Sequence, residues 1–132
     1  VKKPARSLPD TNTIVRYLVK DNPVLFAKAK EFFDGVKNGD IKAVILESVI
    51  AECIYVLTRI YRVPRERAAG SLIDILRYKG IANTDRAELI RALSLFSDRS
   101  LDIVDCFLCV KAAEGGDRLF TFDEELNKLA RQ

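Results

Sequence analysis

A chain of 132 residues that is 48% hydrophobic has apolar material for one globular core and too little length for two. It holds no histidine, which excludes chemistry built on an imidazole base or an imidazole metal ligand, and its formal net charge of +3, with Lys and Arg interspersed among acids, permits a nucleic-acid partner without arguing for one. No apolar run reaches the ~18 residues of a membrane span, the N-terminal stretch lacks the long apolar centre of a signal peptide, and the odd set Cys53, Cys106 and Cys109 suits a reducing compartment, so a single cytoplasmic domain over 1–132 with no membrane association is expected.

In chain order, Ala5–Pro9 reads as a short strand, and Thr11–Val19 follows as a helix with Ile14, Val15 and Leu18 at helical spacing. Asn22 and Pro23 mark a turn; Leu25–Val36 repeats the helical pattern and closes at Asn38 and Gly39. Lys42–Leu46 is a compact strand-type run, and Ser48–Tyr61 sets Val49, Cys53, Val56, Leu57 and Ile60 on one helical stripe. Pro64 opens a helix through Tyr78, Gly80 ends it, Ile81–Asn83 is a third short strand, and a helix runs from about Asp85 to Phe96. Leu101–Gly116 is a helix apolar on most of its circumference and capped by two glycines, which predicts burial on several sides. Arg118–Phe122 is a fourth strand, and a terminal helix runs from Asp123 to the end. Strands alternating with helices predict an α/β domain around a parallel sheet.

Acids recur at the junctions of this pattern. Asp10 and Asp123 each follow an apolar strand and precede a helix, which in an open parallel sheet is the carboxyl edge where ligands bind. Asp102 and Asp105 share a face at the start of the apolar helix, and Glu52 has no ion-pair partner three or four positions away on its own helix. Each acid also has a structural explanation: Asp10, Asp102 and Asp123 as helix N-caps, Asp105 as the acid of a capping box, Glu52 as a solvated surface residue. Capping does not account for Glu52. Were Asp10, Glu52, Asp105 and Asp123 to converge, their repulsion would call for protons or a hard cation, Mg²⁺ or Mn²⁺, and acids of this kind point to phosphate-ester chemistry.

The ordered fragments LPDTNTIVRYL, ESVIAECIYVL, LDIVDCFLCVKA and RLFTFDEEL closely resemble the PIN-domain ribonucleases, especially the VapC-type toxins of prokaryotic toxin–antitoxin pairs, over almost the whole chain. The resemblance implies a three-layer α/β/α fold with a central parallel sheet of four to five short strands flanked by helices. It implies a divalent-metal site, endonucleolytic cleavage of RNA, and a homodimer held inactive by a cognate antitoxin whose C-terminal segment wraps the toxin. Position by position, Asp10, Glu52, Asp105 and Asp123 match the acids that would act as catalytic residues and metal ligands, with Asn12, Asp102 and Thr121 supporting them; Glu47 competes with Glu52 but fits a helix start.

The chemistry expected on that footing is hydrolysis of RNA phosphodiesters by water activated on one or two bound ions. Arg16, Arg59 and Arg62, with Arg65 and Arg67, are candidates for the basic rim that RNA would need. Cys106 and Cys109 form a C-x-x-C, read as small packing residues rather than a redox or zinc pair. The helices at Leu25–Val36 and Ser48–Tyr61 carry more apolar residues than one stripe requires, which suggests a dimer or antitoxin surface. Two rival functions accompany the nuclease: a phosphatase or phosphotransferase with Asp10 as nucleophile, although Asn12 stands where that pattern expects a second acid, and a catalytically inert partner-binding module.

Overall fold

The computed structural model describes residues 5–130, and these are built mainly of helices: α1 Thr11–Val19, α2 Pro23–Asn38, α3 Glu47–Tyr55, α4 Arg65–Leu76, α5 Arg86–Asp98, α6 Ile103–Gly115 and α7 Glu124–Ala130. Residues 131–132, the end of the predicted terminal helix, lie outside the described residues. Side-chain chemistry sets the starts. Asp10 and Asn22 accept the backbone N–H groups of Thr13 and Leu25, and Pro23 occupies a position where its missing N–H costs nothing. Lys20 and Gly39, both left-handed, close α1 and α2.

The helix predicted over Ser48–Tyr61 is realised in two parts, because a π-helical turn over Val56–Ile60 continues α3. Thr58 Oγ1 donates to the Ile54 carbonyl at 2.7 Å, and Tyr61 N–H reaches back to the Val56 carbonyl at 3.2 Å. A hydroxyl that occupies a helical carbonyl loosens the ordinary ladder at that point.

Burial follows the helical stripes. The helix α5 packs on both α4 and α6, α1 packs on α2, and α3 touches α1, α4 and α6. Phe33, Ile50, Ile54, Leu72, Leu89 and Leu93 are fully buried, and Tyr17 stacks on Phe33 with ring centroids 4.6 Å apart. All three cysteines are free and buried, as the packing reading expects.

The predicted sheet is the main correction. Among the described residues no segment forms a strand, so the central parallel sheet of four to five strands and the three-layer α/β/α arrangement around it are absent. Two isolated parallel bridges stand in its place, Ser7 to Ala43 and Ala43 to Ile81, and Arg118–Phe122 joins neither. The reason lies in how short these segments are and in what ends them. Pro9 cannot donate, and at Gly80 any Cβ would run into the carbonyl oxygens of Ile41 and Val36. Past Ala82 the pairing passes to a side chain: Asn83 Oδ1 accepts from Ile45 N–H at 2.9 Å and Asn83 Nδ2 donates to the Ile45 carbonyl at 2.8 Å. An amide standing in for a backbone ends the ladder. Ala43, Ile45 and Ile81 are buried all the same, so the apolar content read as a sheet goes into a helical core.

Candidate functional site

Each sequence-selected acid can be placed. Asp10 Oδ1 accepts from Thr13 N and Thr13 Oγ1, both at 2.8 Å, which makes it the N-cap of α1. Those two bonds hold its carboxyl below the usual carboxylate range. Asp123 caps α7 through Leu126 N–H at 3.1 Å, while its own N–H donates to Thr121 Oγ1 at 3.0 Å, so Thr121 braces that turn. Asp102 stands at the N-cap position of α6, and its side chain makes no capping bond. Asn12 is exposed on the face that α1 shares with Leu25 and Lys28 of α2, and Glu52 is exposed on α3.

The charges of these acids are felt at two buried places in the fold. Asp10 and Glu52 flank the buried Cys53 thiol, which burial first, and then these two charges, push up to about 12. Asp102, Asp105 and Asp123 surround the head of α6, where burial, followed by the charges of Asp102 and Asp123, raises the half-buried Asp105 carboxyl. Among the described residues no group of three or more Cys, Asp or Glu side chains is close enough to hold a metal ion. A resident Mg²⁺ or Mn²⁺ would need such a gathering of oxygen donors.

The arginines expected to form a basic rim can be placed as well. Arg16 pairs with Asp21 at 2.8 Å, and Tyr61 donates to the same carboxylate at 3.1 Å. Arg59 lies over the Tyr55 ring at 4.8 Å, and Arg62 adopts a left-handed backbone with φ 57°. Arg65, read as a rim cation, is an internal clamp: its Nη2 donates to the carbonyls of Phe96, Arg99 and Leu101 at 2.9, 2.7 and 2.6 Å, and its guanidinium sits 3.6 Å from the centroid of the Phe96 ring. It thereby fixes the connection between α5 and α6, and with it the position of Asp102 and Asp105.

A groove of about 460 Å³ lies open between α3 and α6, one side of it on the helix whose apolar excess suggests a dimer or antitoxin surface. Ala51, Tyr55, Val104, Phe107 and Leu108 line it, with Glu47, Ser48, Glu52 and Lys111 along its edges. The helix α6 was expected to be buried on several sides; instead Val104 and Leu108 remain 47% and 42% exposed. They lie one helical turn apart, and Lys111 comes next on the same row, with Nζ 3.3 Å from Glu88 and 3.7 Å from Glu47. The all-round apolar pattern of α6 was the available signal, but without its neighbours it could not separate a covered face from an open one.

A family model described as PIN domain matches residues 7–132, whereas no curated protein and no solved structure matches the chain. The ordered motifs and this match concern the same stretch of sequence. The narrower identity as a VapC-type toxin, and the hydrolase, nuclease and metal-binding functions that came with it, are corrected: their site needs acids ordered along a sheet edge and gathered around metal, and the described residues supply neither. The same holds for the Asp10 phosphatase, since Asp10 is engaged in capping α1. Matched along residues 7–132, the chain belongs to the PIN domain family.

Proposed function

We propose that this chain is a partner-binding member of its family, which docks the apolar face of a basic amphipathic helix from another protein into the groove between α3 and α6. The observation that carries this reading is the pair Val104 and Leu108, large apolar side chains left open beside Ala51 and Tyr55. Two helices side by side present rows of residues three and four positions apart, the geometry into which a third helix packs. Covering each of the two exposed side chains would contribute roughly 1 kcal/mol. The charge around the groove selects the partner's polar face. Glu47 and Glu52 border it, Asp102 and Asp105 stand at the head of α6, and Lys111, the one cation on its edge among the described residues, is already held by Glu47 and Glu88.

Among the partners that the resemblance implies, a cognate antitoxin is a protein of suitable chemistry. RNA is less favoured, because Arg16 and Arg59 are engaged within the fold. A second copy of this chain, forming a homodimer, would compete for the same groove. We place the activity in the cytoplasm, where three free thiols stay reduced; among the described residues no helix is long and apolar enough to cross a membrane. Mg²⁺ or Mn²⁺ enters this reading as a hydrated ion drawn to Asp102, Asp105 and Asp123, not as a catalyst. Calorimetry with MgCl₂ or MnCl₂ alone is expected to show weak binding that added salt suppresses and Asp105→Asn removes.

The test uses a labelled amphipathic Leu/Lys helical peptide followed by fluorescence anisotropy. Leu108→Glu is expected to weaken its binding roughly tenfold, about 1.4 kcal/mol, with the fold intact by circular dichroism. Equal affinity for wild type and Leu108→Glu would remove the groove from consideration. Sedimentation showing a dimer that Leu108→Glu dissociates would assign the groove to a second copy instead.

A further inference from the structure

The segment Arg118–Phe122 has the alternation of a strand without a strand's pairing. Leu119 and Thr121 are half-buried against the body of the protein, while Phe120 and Phe122 point the other way and are 84% and 93% exposed. The two rings meet edge to face with centroids 5.6 Å apart. Among the described residues, no backbone N–H or carbonyl of Arg118–Phe122 takes part in a backbone–backbone hydrogen bond. A run with idle backbone groups and a displayed apolar face, here closing in a bend at Phe122, offers a template for another strand. Two bare phenylalanines also represent a large apolar area, since each can bury ~150 Å² or more.

We propose that Arg118–Phe122 is a docking strip for an extended peptide of alternating basic and apolar residues, donated by a partner protein, which adds alongside it as a strand. Charge selects this occupant. Asp117, Asp123, Glu124 and Glu125 flank the strip, and among the described residues Arg118 and, farther along α7, Lys128 are the cations near it; all are exposed. A second copy pairing antiparallel would bring Asp117 of one chain towards Asp123 and Glu124 of the other, setting like charges opposite one another. Phosphates of a nucleic acid would meet the same acids. Lysines or arginines on the partner's outward positions would meet them favourably, its apolar residues would cover Phe120 and Phe122, and its backbone would satisfy the idle groups of the strip. The strip shares no residue with the groove between α3 and α6, so either surface can fail without the other.

Anisotropy of a labelled Lys/Val alternating peptide tests the strip directly. Binding is expected for wild type and for Leu108→Glu alike, with a loss of about tenfold or more in Phe120→Ser/Phe122→Ser. A backbone N-methylated Lys/Val peptide, which keeps the side chains but cannot form the ladder, is expected not to bind, and this arm requires no substitution in the protein. A Glu/Val peptide is expected to fail as well, and hydrogen exchange at Leu119–Phe122 should slow only in the presence of the Lys/Val peptide. Undiminished binding to the double variant, or equal binding of the N-methylated peptide, would overturn the proposal. So would preferential binding of oligo-uridine, whose bases could stack on the two rings. Sedimentation showing a wild-type dimer that Phe120→Ser/Phe122→Ser dissociates would overturn it in favour of self-association.

Discussion

Asp10 illustrates how one residue can satisfy two readings of a sequence. An acid after an apolar run and before a helix fits a ligand-binding edge and fits an N-cap, and the two Thr13 bonds commit it to the cap. Asp10→Ala is expected to cost about 1 kcal/mol at neutral pH in urea unfolding. Because its carboxyl lies below the ordinary value of 3.8, the stability it contributes is present above that value and is lost as pH falls through the lowered one, so variant and wild type should converge in strong acid. Asp105 has the opposite sign. Its carboxyl is raised by burial, then by Asp102 and Asp123, so the folded state holds that proton more tightly than the unfolded chain and loses stability as pH rises towards neutral. Asp105→Asn is therefore expected to melt higher than wild type at pH 7 and to lose that advantage in acid; a lower melting point at pH 7 would contradict the electrostatic account. Arg65 shows what spacing alone could not convey. In sequence it is one of several arginines near a helix start, and its three carbonyl acceptors lie more than thirty positions away. Arg65→Lys, which keeps the charge but loses the planar group over Phe96, is expected to destabilise by roughly 1–2 kcal/mol.

At the scale of elements, the helices were legible because their signals are local. Ile14 and Val15 fix the inward face of α1, Asn22 and Pro23 its successor's start, and Gly39 its end, all within a few residues of one another. The extended segments were not legible in the same way. Short apolar runs such as Lys42–Leu46 say that a segment is buried without saying what pairs with it, and here Asn83 supplies by side chain what a neighbouring strand would supply by backbone. Asn83→Ala would leave both polar groups of the buried Ile45 backbone without these partners and is expected to cost roughly 3 kcal/mol in chemical denaturation. Gly80 is a comparable joint, with its N–H on the Val36 carbonyl at 2.7 Å and no room for a Cβ. Gly80→Ala is expected to lower stability by roughly 2–3 kcal/mol, whereas an alanine at Gly70, where nothing stands within 4 Å, should be neutral or stabilising. If both glycine variants melted alike, the tight contact at Gly80 would lose its significance.

Over the whole molecule, family membership and detailed function part company. The ordered motifs extend across the chain and carry the family, but they carried a site only on the assumption that a sheet would bring Asp10, Glu52, Asp105 and Asp123 to one edge. In the helical arrangement, Asp10 and Glu52 attend Cys53 while Asp105 and Asp123 attend the head of α6. The surface proposed for recognition is instead the open apolar groove between α3 and α6, bordered by acids beside a cation that is already engaged. Its apolar residues were visible in the sequence, as an excess on the helix around Ser48–Tyr61 and an all-round pattern on α6. That the two would lie side by side and stay uncovered depends on contacts far apart in the chain. The most direct measurement is a backbone amide NMR titration of the isotopically labelled protein with the basic Leu/Lys helical peptide and, separately, with MgCl₂. The peptide is expected to shift Ala51, Tyr55, Val104, Leu108 and Lys111 together, and MgCl₂ to produce small changes confined to the head of α6. Peptide-insensitive groove amides, together with saturable MgCl₂ shifts at Asp10, Glu52, Asp105 and Asp123 that follow a single binding curve, would contradict it.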